Sequence, residues 1–404
     1  MFDTNLHQTN PTVQTLDKLI QVSLFTFAVF SMFSISITQI SFAVGALSWL
    51  LKTHLTRTWK ELKGTLVGIA ILWFCLACIL VIITSVDLEN SLKHLKKFLQ
   101  FIIFFWVANT VQNEKQRGLL VRLVIIAGVA AALNGLSPFW NMAPDSAMTR
   151  LEGTMSKAAT FSGVLMLAGL AALGIFLFHK HREYWVLGST GIIALCLLLS
   201  LTRQAWLGFL VGTVFMVFFW NKKYLLIVPL LLGGLLLFGP KDISTRMHTL
   251  TNLQDGSLQA RVFVWQGGWE IFKDHPVTGC GFKCVDLIHT QYPDPSGRIA
   301  RYRGMHSNIL QLLVDTGIIG LSLWIYIWVA YFIEVFKRWR PLAQEPSQGA
   351  AKGILIGTAA AVIAFFIGGF FETNFYDSEV AMLLYFLMGL SLAEVKAVPM
   401  STEV

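Results

Sequence analysis

Residues 64–84 read GTLVGIAILWFCLACILVIIT, a run of 21 residues without a charged side chain. A helix of that length crosses the hydrocarbon core of a lipid bilayer, which is roughly 30 Å thick. Similar apolar blocks recur along the whole chain of 404 residues. We therefore expect an all-α fold, that of a polytopic integral membrane protein.

The overall composition agrees with this expectation. Charged residues make up 13% of the sequence and hydrophobic residues 55%, whereas a soluble domain carries about 25% charged residues. This excludes a water-soluble enzyme, a nucleic-acid-binding domain and a secreted disulfide scaffold. The polar first 16 residues lack the basic region and the cleavage site of a signal peptide, so we expect the first span to remain as a permanent helix.

Apolar blocks predict about 12 transmembrane helices in a single membrane domain that covers residues 1–404. The predicted spans lie at about 18–34, 37–52, 64–84, 97–112, 118–136, 158–178, 184–201, 204–220, 224–240, 309–336, 351–371 and 378–394. Residues 241–308 are predicted to form a large, partly helical loop, because aromatic residues such as Trp265 and Trp269 occur among its polar ones.

Basic residues set the predicted orientation, since short cytoplasmic loops are enriched in Lys and Arg. With both termini inside, the inner loops hold 14 basic residues and the short outer loops hold 6. We therefore predict that both termini are cytoplasmic and that the loop 241–308 lies outside.

Arginine departs from this rule. Seven of the 13 arginines are predicted on the outer side: Arg150, Arg203, Arg246, Arg261, Arg298, Arg301 and Arg303. Because a guanidinium binds phosphate through two parallel hydrogen bonds, the cluster favours an anionic ligand such as a lipid pyrophosphate over a merely solvated surface. Arg203 is the strongest candidate, since the short turn SLTRQAW at 200–206 holds it at a membrane boundary. The alternative is a side chain that reaches lipid phosphates.

His306 is the second candidate. It lies beside Arg301 and Arg303 at the outer start of the tenth predicted span, where a neutral imidazole can take a proton from a hydroxyl group. A capping or interfacial histidine is the alternative. Glu372, at another outer helix end, is a weaker candidate for a polar partner.

Two carboxylate pairs offer a competing hypothesis. Asp87 with Glu89 and Asp377 with Glu379 have a spacing that can hold a divalent metal ion, although ordinary loop charge explains both pairs more simply. Cys280 and Cys284 lie four residues apart in a polar region, where they are either paired or free.

In their order, these features resemble the O-antigen ligase/O-antigen polymerase superfamily. The resemblance covers about residues 200–320 and rests on an ordered set of motifs. These are the turn with Ser200 and Arg203, RVFVW at 261–265, HPVTGCGF at 275–282, HSNILQ at 306–311 and DTGIIG at 315–320.

The resemblance implies a GT-C-like membrane glycosyltransferase in the bacterial inner membrane, with its active site facing the periplasm. It implies a glycan on undecaprenyl pyrophosphate as donor, a lipid A–core sugar as acceptor, and an inverting reaction without a metal or another cofactor. Membrane lipids are further partners, and nucleic acid is not. Arg203, Arg261 and His306 are the positions carried over as catalytic. The predicted substrate-binding residues, which would contact the pyrophosphate or the acceptor, are Arg150, Arg301, Arg303, Asn308 and Gln311.

Other activities remain open at this point. An O-antigen polymerase, whose acceptor is another lipid-linked repeat, and a protein-glycosylating relative belong to the same superfamily. A transporter or flippase of polyprenyl-linked glycans is the alternative from a different class. Transporters use ionisable residues or broken helices near the membrane midplane, whereas the spans predicted here are nearly free of charge. We favour the ligase because the contexts of Arg203 and His306 are nearer to it.

Overall fold

The computed structural model describes residues 10–62, 64–138, 150–179, 182–238, 256–292, 297–345 and 347–394. Over these ranges the chain is helical and contains no β-strand, which confirms the predicted all-α class. Arg246 and parts of the predicted loop 241–308, namely residues 241–255 and 293–296, lie outside the described residues.

The described helices follow one another with short connections. The α-helices are α1 (Pro11–Phe30), α2 (Ile35–Thr56), α3 (Thr65–Ile83), α4 (Leu88–His94), α5 (Phe101–Thr110), α6 (Glu114–Leu136), α7 (Ala158–Phe178), α8 (Tyr184–Leu199), α9 (Arg203–Trp220), α10 (Ile227–Phe238), α11 (Gly256–Asp274), α12 (Val285–Ile288), α13 (Arg298–Tyr302), α14 (Asn308–Gln344), α15 (Gly349–Gly368) and α16 (Ser378–Leu392). The 3₁₀-helices are Trp59–Glu61, Leu95–Gln100, Lys222–Leu226, His289–Gln291 and Asn374–Tyr376.

Eight of the described helices are long and apolar enough to cross a membrane: α1, α2, α3, α6, α7, α9, α14 and α15. Helices α8 and α16 are apolar but shorter, and α5 and α10 occupy the two remaining predicted spans. Every predicted span therefore contains a helix, and the chain has the architecture of a polytopic membrane protein. Twelve crossings and the GT-C-like class stay predictions.

Helices α7 and α15 lie at the centre of the bundle. Of the most apolar 18 residues in each, 78% are buried in α7 and 72% in α15. Their backbones touch, since a Cβ atom on Gly174 would lie only 2.5 Å from the carbonyl oxygen of Gly353; small residues permit such close helix packing in membranes. Helix α9 packs on α15 in the same way, with Gly208 against the backbone of Ala364.

Helix α14 is broken near its N-terminal end. Gly317 has φ 62° and ψ −165°, a backbone conformation that glycine adopts without a steric penalty. The loop Pro276–Gly281 enters at this break, where Ile318 N donates to Pro276 O at 3.0 Å and Cys280 N donates to Val314 O at 2.9 Å. The loop thus satisfies backbone groups that the break would leave unpaired. A disulfide joins Cys280, in this loop, to Cys284, which lies just after it, a pairing that the sequence left open.

Contacts between distant segments join residues predicted on the same side of the membrane. At one end of the bundle Lys97 Nζ donates to Tyr376 O at 2.6 Å, and Val86 N donates to Cys280 O at 3.0 Å. At the other end Arg122 Nε donates to Glu183 Oε2 at 3.2 Å. These contacts are consistent with the alternation of the predicted spans.

Candidate active site

The connection between α15 and α16, residues 369–377, organises the end of the bundle that is predicted to lie outside. It is anchored to the start of α14 through Asn308, whose backbone N–H donates to Gly369 O at 2.7 Å. The Asn308 side chain accepts from Phe375 N at 3.1 Å and donates to the Asn374 side chain at 2.5 Å. Asn308 is 1% exposed, so the two segments are held in one position by buried hydrogen bonds.

This anchoring brings His306 and Glu372 together. The Nδ1 atom of His306 lies 3.3 Å from the Oε1 atom of Glu372, and the His306 ring also contacts the ring of Tyr302, with centroids 5.5 Å apart. The side chains of His306 and Glu372 are 36% and 22% exposed. An imidazole oriented by a carboxylate and still open to the surface is an arrangement suited to proton transfer.

The Glu372 carboxylate is held in its ionised form. Burial by itself would raise the pKa of Glu372, but the contact with His306, the hydrogen bond from Thr373 N and the charge of Arg261 outweigh it. The pKa of this carboxyl therefore lies below its usual range. Thr373 N donates to the same Glu372 Oε1 atom at 3.1 Å, which is a second hydrogen bond that fixes the carboxylate.

Arg261 and Trp265 on α11 contact the same region. Arg261 Nε donates to Phe371 O at 3.1 Å, next to Glu372 in the chain. Trp265 Nε1 donates to Met305 O at 2.8 Å, next to His306. Arg261 and Trp265 are four residues apart, about one helical turn, and therefore lie on the same face of α11. That face contacts the residue before Glu372 and the residue before His306.

Arg203 reaches this end of the bundle by a different route. The turn between α8 and α9 contains Leu201 with φ 52°, and the buried Ser200 hydroxyl donates to Leu197 O at 2.7 Å. Arg203 is the first residue of α9. A Cβ atom on Gly368 would lie 3.4 Å from Gln204 O, so the start of α9 adjoins the residue that precedes the 369–377 connection.

The structure brings two of the three positions predicted to be catalytic, His306 and Arg261, into contact with this connection, and places Arg203 close to its start. His306 contacts Glu372, Arg261 contacts Phe371, and Arg203 lies beside Gln204, which adjoins Gly368.

The residues predicted to bind substrate are arranged differently. Arg301 and Arg303 are exposed, and Arg303 Nε donates to Ala300 O at 3.1 Å. Arg150 is exposed and makes no hydrogen bond or ion pair within the described part of the chain. Gln311 is buried, like Asn308, and its amide group forms its hydrogen bonds inside the protein.

The competing carboxylate pairs serve local structure. Asp87 caps α4 by accepting from Asn90 N at 3.1 Å, and Glu89 forms an ion pair with Lys93 at 2.6 Å. Asp377 accepts from the Thr160 hydroxyl at 2.5 Å. Within the described ranges, no group of three or more His, Cys, Asp or Glu side chains is placed to hold a metal ion.

The sequence predicts Glu372 only as a weaker candidate and Trp265 only as part of a motif and of the loop, and it does not distinguish Tyr376 at all. The available signal was a polar cluster, Glu372-Thr373-Asn374, at the end of an apolar span. Nothing local to that cluster identifies His306 as its partner, because 66 residues separate the two side chains.

Comparison with known protein families places part of the chain. Residues 188–325 match the model of a family described as O-antigen ligase. None of the curated proteins matches the chain. The matched range includes Arg203, Arg261 and His306, whereas Glu372 lies beyond it.

Proposed function

We propose that this chain, whose residues 188–325 match the family described as O-antigen ligase, is an O-antigen ligase of the bacterial inner membrane. Members of the superfamily are membrane enzymes of the ligase or polymerase type, which act on lipid-linked glycans. In our proposal the protein has a GT-C-like fold and moves a glycan from undecaprenyl pyrophosphate to a sugar of lipid A–core at the periplasmic face.

The contact between His306 and Glu372 is the observation that carries this proposal. The carboxylate accepts a hydrogen bond from Nδ1 at 3.3 Å, so a neutral imidazole presents the lone pair of Nε2. That nitrogen is the proton acceptor for a hydroxyl group of the incoming sugar. Because the histidine side chain is 36% exposed, an acceptor approaching from outside the bundle can reach it.

Arg203 and Arg261 supply the second requirement of the reaction. A glycosyl pyrophosphate already carries a good leaving group, and its departure is accelerated by positive charge placed where negative charge develops. The hydrogen bond from Arg261 Nε to Phe371 O at 3.1 Å orients the plane of that guanidinium. Arg203 is placed at the neighbouring start of α9. Arg150, Arg301 and Arg303 would assist in binding at the rim.

The proposed reaction is a direct displacement. The acceptor hydroxyl oxygen forms a bond to the anomeric carbon while the bond from that carbon to the pyrophosphate oxygen breaks. The bonding electrons leave with undecaprenyl pyrophosphate, whose charge the arginines stabilise. The hydroxyl proton moves to Nε2 of His306. Attack opposite the leaving group inverts the anomeric centre and uses neither a metal ion nor a covalent intermediate.

The deciding experiment offers the purified protein one glycan on undecaprenyl pyrophosphate together with either lipid A–core or a second lipid-linked repeat. The proposal expects glycosylated lipid A–core in the absence of any ion gradient. Products elongated on the lipid carrier would instead identify a polymerase. Movement of the lipid-linked glycan across vesicles without any transfer would identify a transporter.

A further inference from the structure

A buried chain of hydrogen bonds connects the segment that carries His306 to the segment that carries Glu372. Met305 N donates to Gln311 Oε1 at 2.9 Å, and Gln311 Nε2 donates to Asp315 Oδ1 at 3.0 Å. The Tyr376 hydroxyl donates to Asp315 Oδ2 at 2.7 Å. His306 directly follows Met305, and Tyr376 lies four residues after Glu372.

The chain of contacts fixes the backbone immediately before His306. The Met305 N–H is held by Gln311, and the Met305 carbonyl is held by Trp265 Nε1 at 2.8 Å. Met305 is 0% exposed. His306 itself has φ 46°, which an L residue adopts only at an energetic cost, so the surrounding contacts must maintain it.

Asp315 decides which end of the Gln311 amide faces Met305. A primary amide has an acceptor oxygen and a donor nitrogen. Because the Asp315 carboxylate accepts from Nε2, Oε1 points towards the Met305 N–H. Asp315 is 1% exposed, and its second oxygen accepts from Tyr376. One carboxylate oxygen therefore orients Gln311 within α14, and the other joins α14 to the 369–377 connection.

We propose that Gln311, Asp315 and Tyr376 are positioning residues. They hold His306 and Glu372 in a fixed relative position without contacting substrate. This inference rests on the proposed function insofar as His306 acts as the base there. The three side chains and the two short chain segments form a closed ring through the His306–Glu372 contact. Loss of any buried member lets the two segments shift relative to each other.

The test compares Tyr376→Phe and Gln311→Met with Tyr331→Phe. Tyr376→Phe removes one hydrogen bond and Gln311→Met removes two, and both substitutions nearly preserve side-chain size. The matched control, Tyr331→Phe, removes a buried tyrosine hydrogen bond to Ser391, 3.0 Å long, that lies on α14 but away from His306. Each purified, full-length variant is treated with diethyl pyrocarbonate, and mass spectrometry measures the rate of modification at His306. Glu372→Gln serves as the reference for a lost partner.

We expect Tyr376→Phe and Gln311→Met to increase the rate of His306 modification at pH 7 by about threefold or more, as Glu372→Gln does, because the imidazole loses its fixed carboxylate partner. In glycan transfer, the same two variants lower kcat by about 10–100-fold, with KM for the lipid-linked donor within about twofold of wild type. Tyr331→Phe leaves both measurements unchanged. If either Tyr376→Phe or Gln311→Met does not fold, the modification rate and kcat of the other variant test the proposal.

The inference is overturned if both folded variants match Tyr331→Phe in the rate of His306 modification, because the chain of hydrogen bonds then does not hold His306 in place. It is also overturned if KM rises while kcat is unchanged, since that result would assign these side chains to substrate binding. The modification rate needs no transfer activity. If the wild-type protein transfers glycan to none of the acceptors, the proposed function is contradicted. The rates of His306 modification then still show whether these side chains position His306.

Discussion

The Nδ1 atom of His306 and the Oε1 atom of Glu372 lie 3.3 Å apart although 66 residues separate them in the chain. The contact joins the start of α14 to the connection that follows α15. Buried Asn308 secures this junction through hydrogen bonds to Asn374 and Phe375. The pair is therefore a product of helix packing, and the predicted chemistry depends on that packing as much as on the two side chains.

Replacing His306 by alanine tests the proposed base. His306→Ala is expected to lower kcat by about 10²–10⁴-fold, because the acceptor hydroxyl loses its proton acceptor. The variant should remain folded and inserted in the membrane. The measurement is glycan transfer to lipid A–core, and His289→Ala, which removes another imidazole from the same outer region, is the matched control. Near wild-type transfer by His306→Ala would eliminate His306 as the base.

Glu372→Gln tests the partner of that base. The glutamine keeps the size of the side chain and removes its charge, so the imidazole is no longer oriented and stabilised by a carboxylate. We expect kcat to fall by about 10–100-fold, with a smaller change in KM. Glu379→Gln, on the neighbouring first turn of α16, is the control for charge removal. Equal effects of the two substitutions would argue against a specific role for the His306–Glu372 contact.

Lysine substitutions test the pyrophosphate contacts. Arg203→Lys and Arg261→Lys keep the positive charge but lose the planar fork of donors, and each is expected to reduce kcat/KM by about tenfold or more. Arg182→Lys provides a control at the opposite end of the bundle, where the guanidinium lies 5.6 Å from the Phe176 ring centroid. Unchanged kcat/KM in both outer-face variants would exclude a requirement for bidentate recognition.

Metal removal tests the proposed independence from cations. Incubation with EDTA should leave the rate of glycan transfer unchanged, since the proposed displacement uses arginine side chains to stabilise charge. The rate is measured before and after chelation, with a metal-dependent enzyme treated in parallel. A loss that Mg²⁺ or Mn²⁺ restores would redirect attention to the pairs Asp87/Glu89 and Asp377/Glu379.

The pH dependence of stability tests the environment of Asp377. Burial, together with the contact to Glu379, raises the pKa of Asp377 from 3.8 to about 7. The folded protein therefore holds this proton more tightly than the unfolded chain, and stability from this group decreases as pH rises from about 4 to about 7. Asp377→Asn should raise Tm relative to wild type by at least about 2 °C more at pH 8 than at pH 5. Asp286→Asn is the control, and a pH-independent difference would refute this assignment.

Several helices could be predicted from local composition alone. The span predicted at 158–178 coincides with α7, Ala158–Phe178. Helix α14 instead continues to Gln344, beyond the predicted end at 336, because hydropathy marks the part of a helix that can lie in lipid and not the residue where the helix ends. The span predicted at 97–112 is divided into the 3₁₀-helix Leu95–Gln100 and α5, a difference in hydrogen bonding that hydropathy does not register.

Candidate site residues were predictable where one residue type stood out against its surroundings. Arg203 and His306 are polar or charged side chains at the predicted ends of apolar segments, where a charge is costly and usually functional, whereas Arg261 was predicted from the family resemblance. Tyr376 does not stand out in this way from its neighbours in the sequence. Its role depends on Asp315, 61 residues away, and on a break in α14 at Gly317 that is filled by the loop Pro276–Gly281.

The sequence by itself determined the helical class, the approximate spans and the side of the membrane on which the functional residues are expected, because these properties follow from the cost of placing polar groups in lipid. Only the tertiary structure decided that Glu372 faces His306 and that Arg261 approaches the same connection. It also decided that the side-chain amides of Asn308 and Gln311 form their hydrogen bonds inside the protein. Those relationships arise from the packing of α9, α11, α14 and α15, and from buried polar groups that must find partners wherever packing places them.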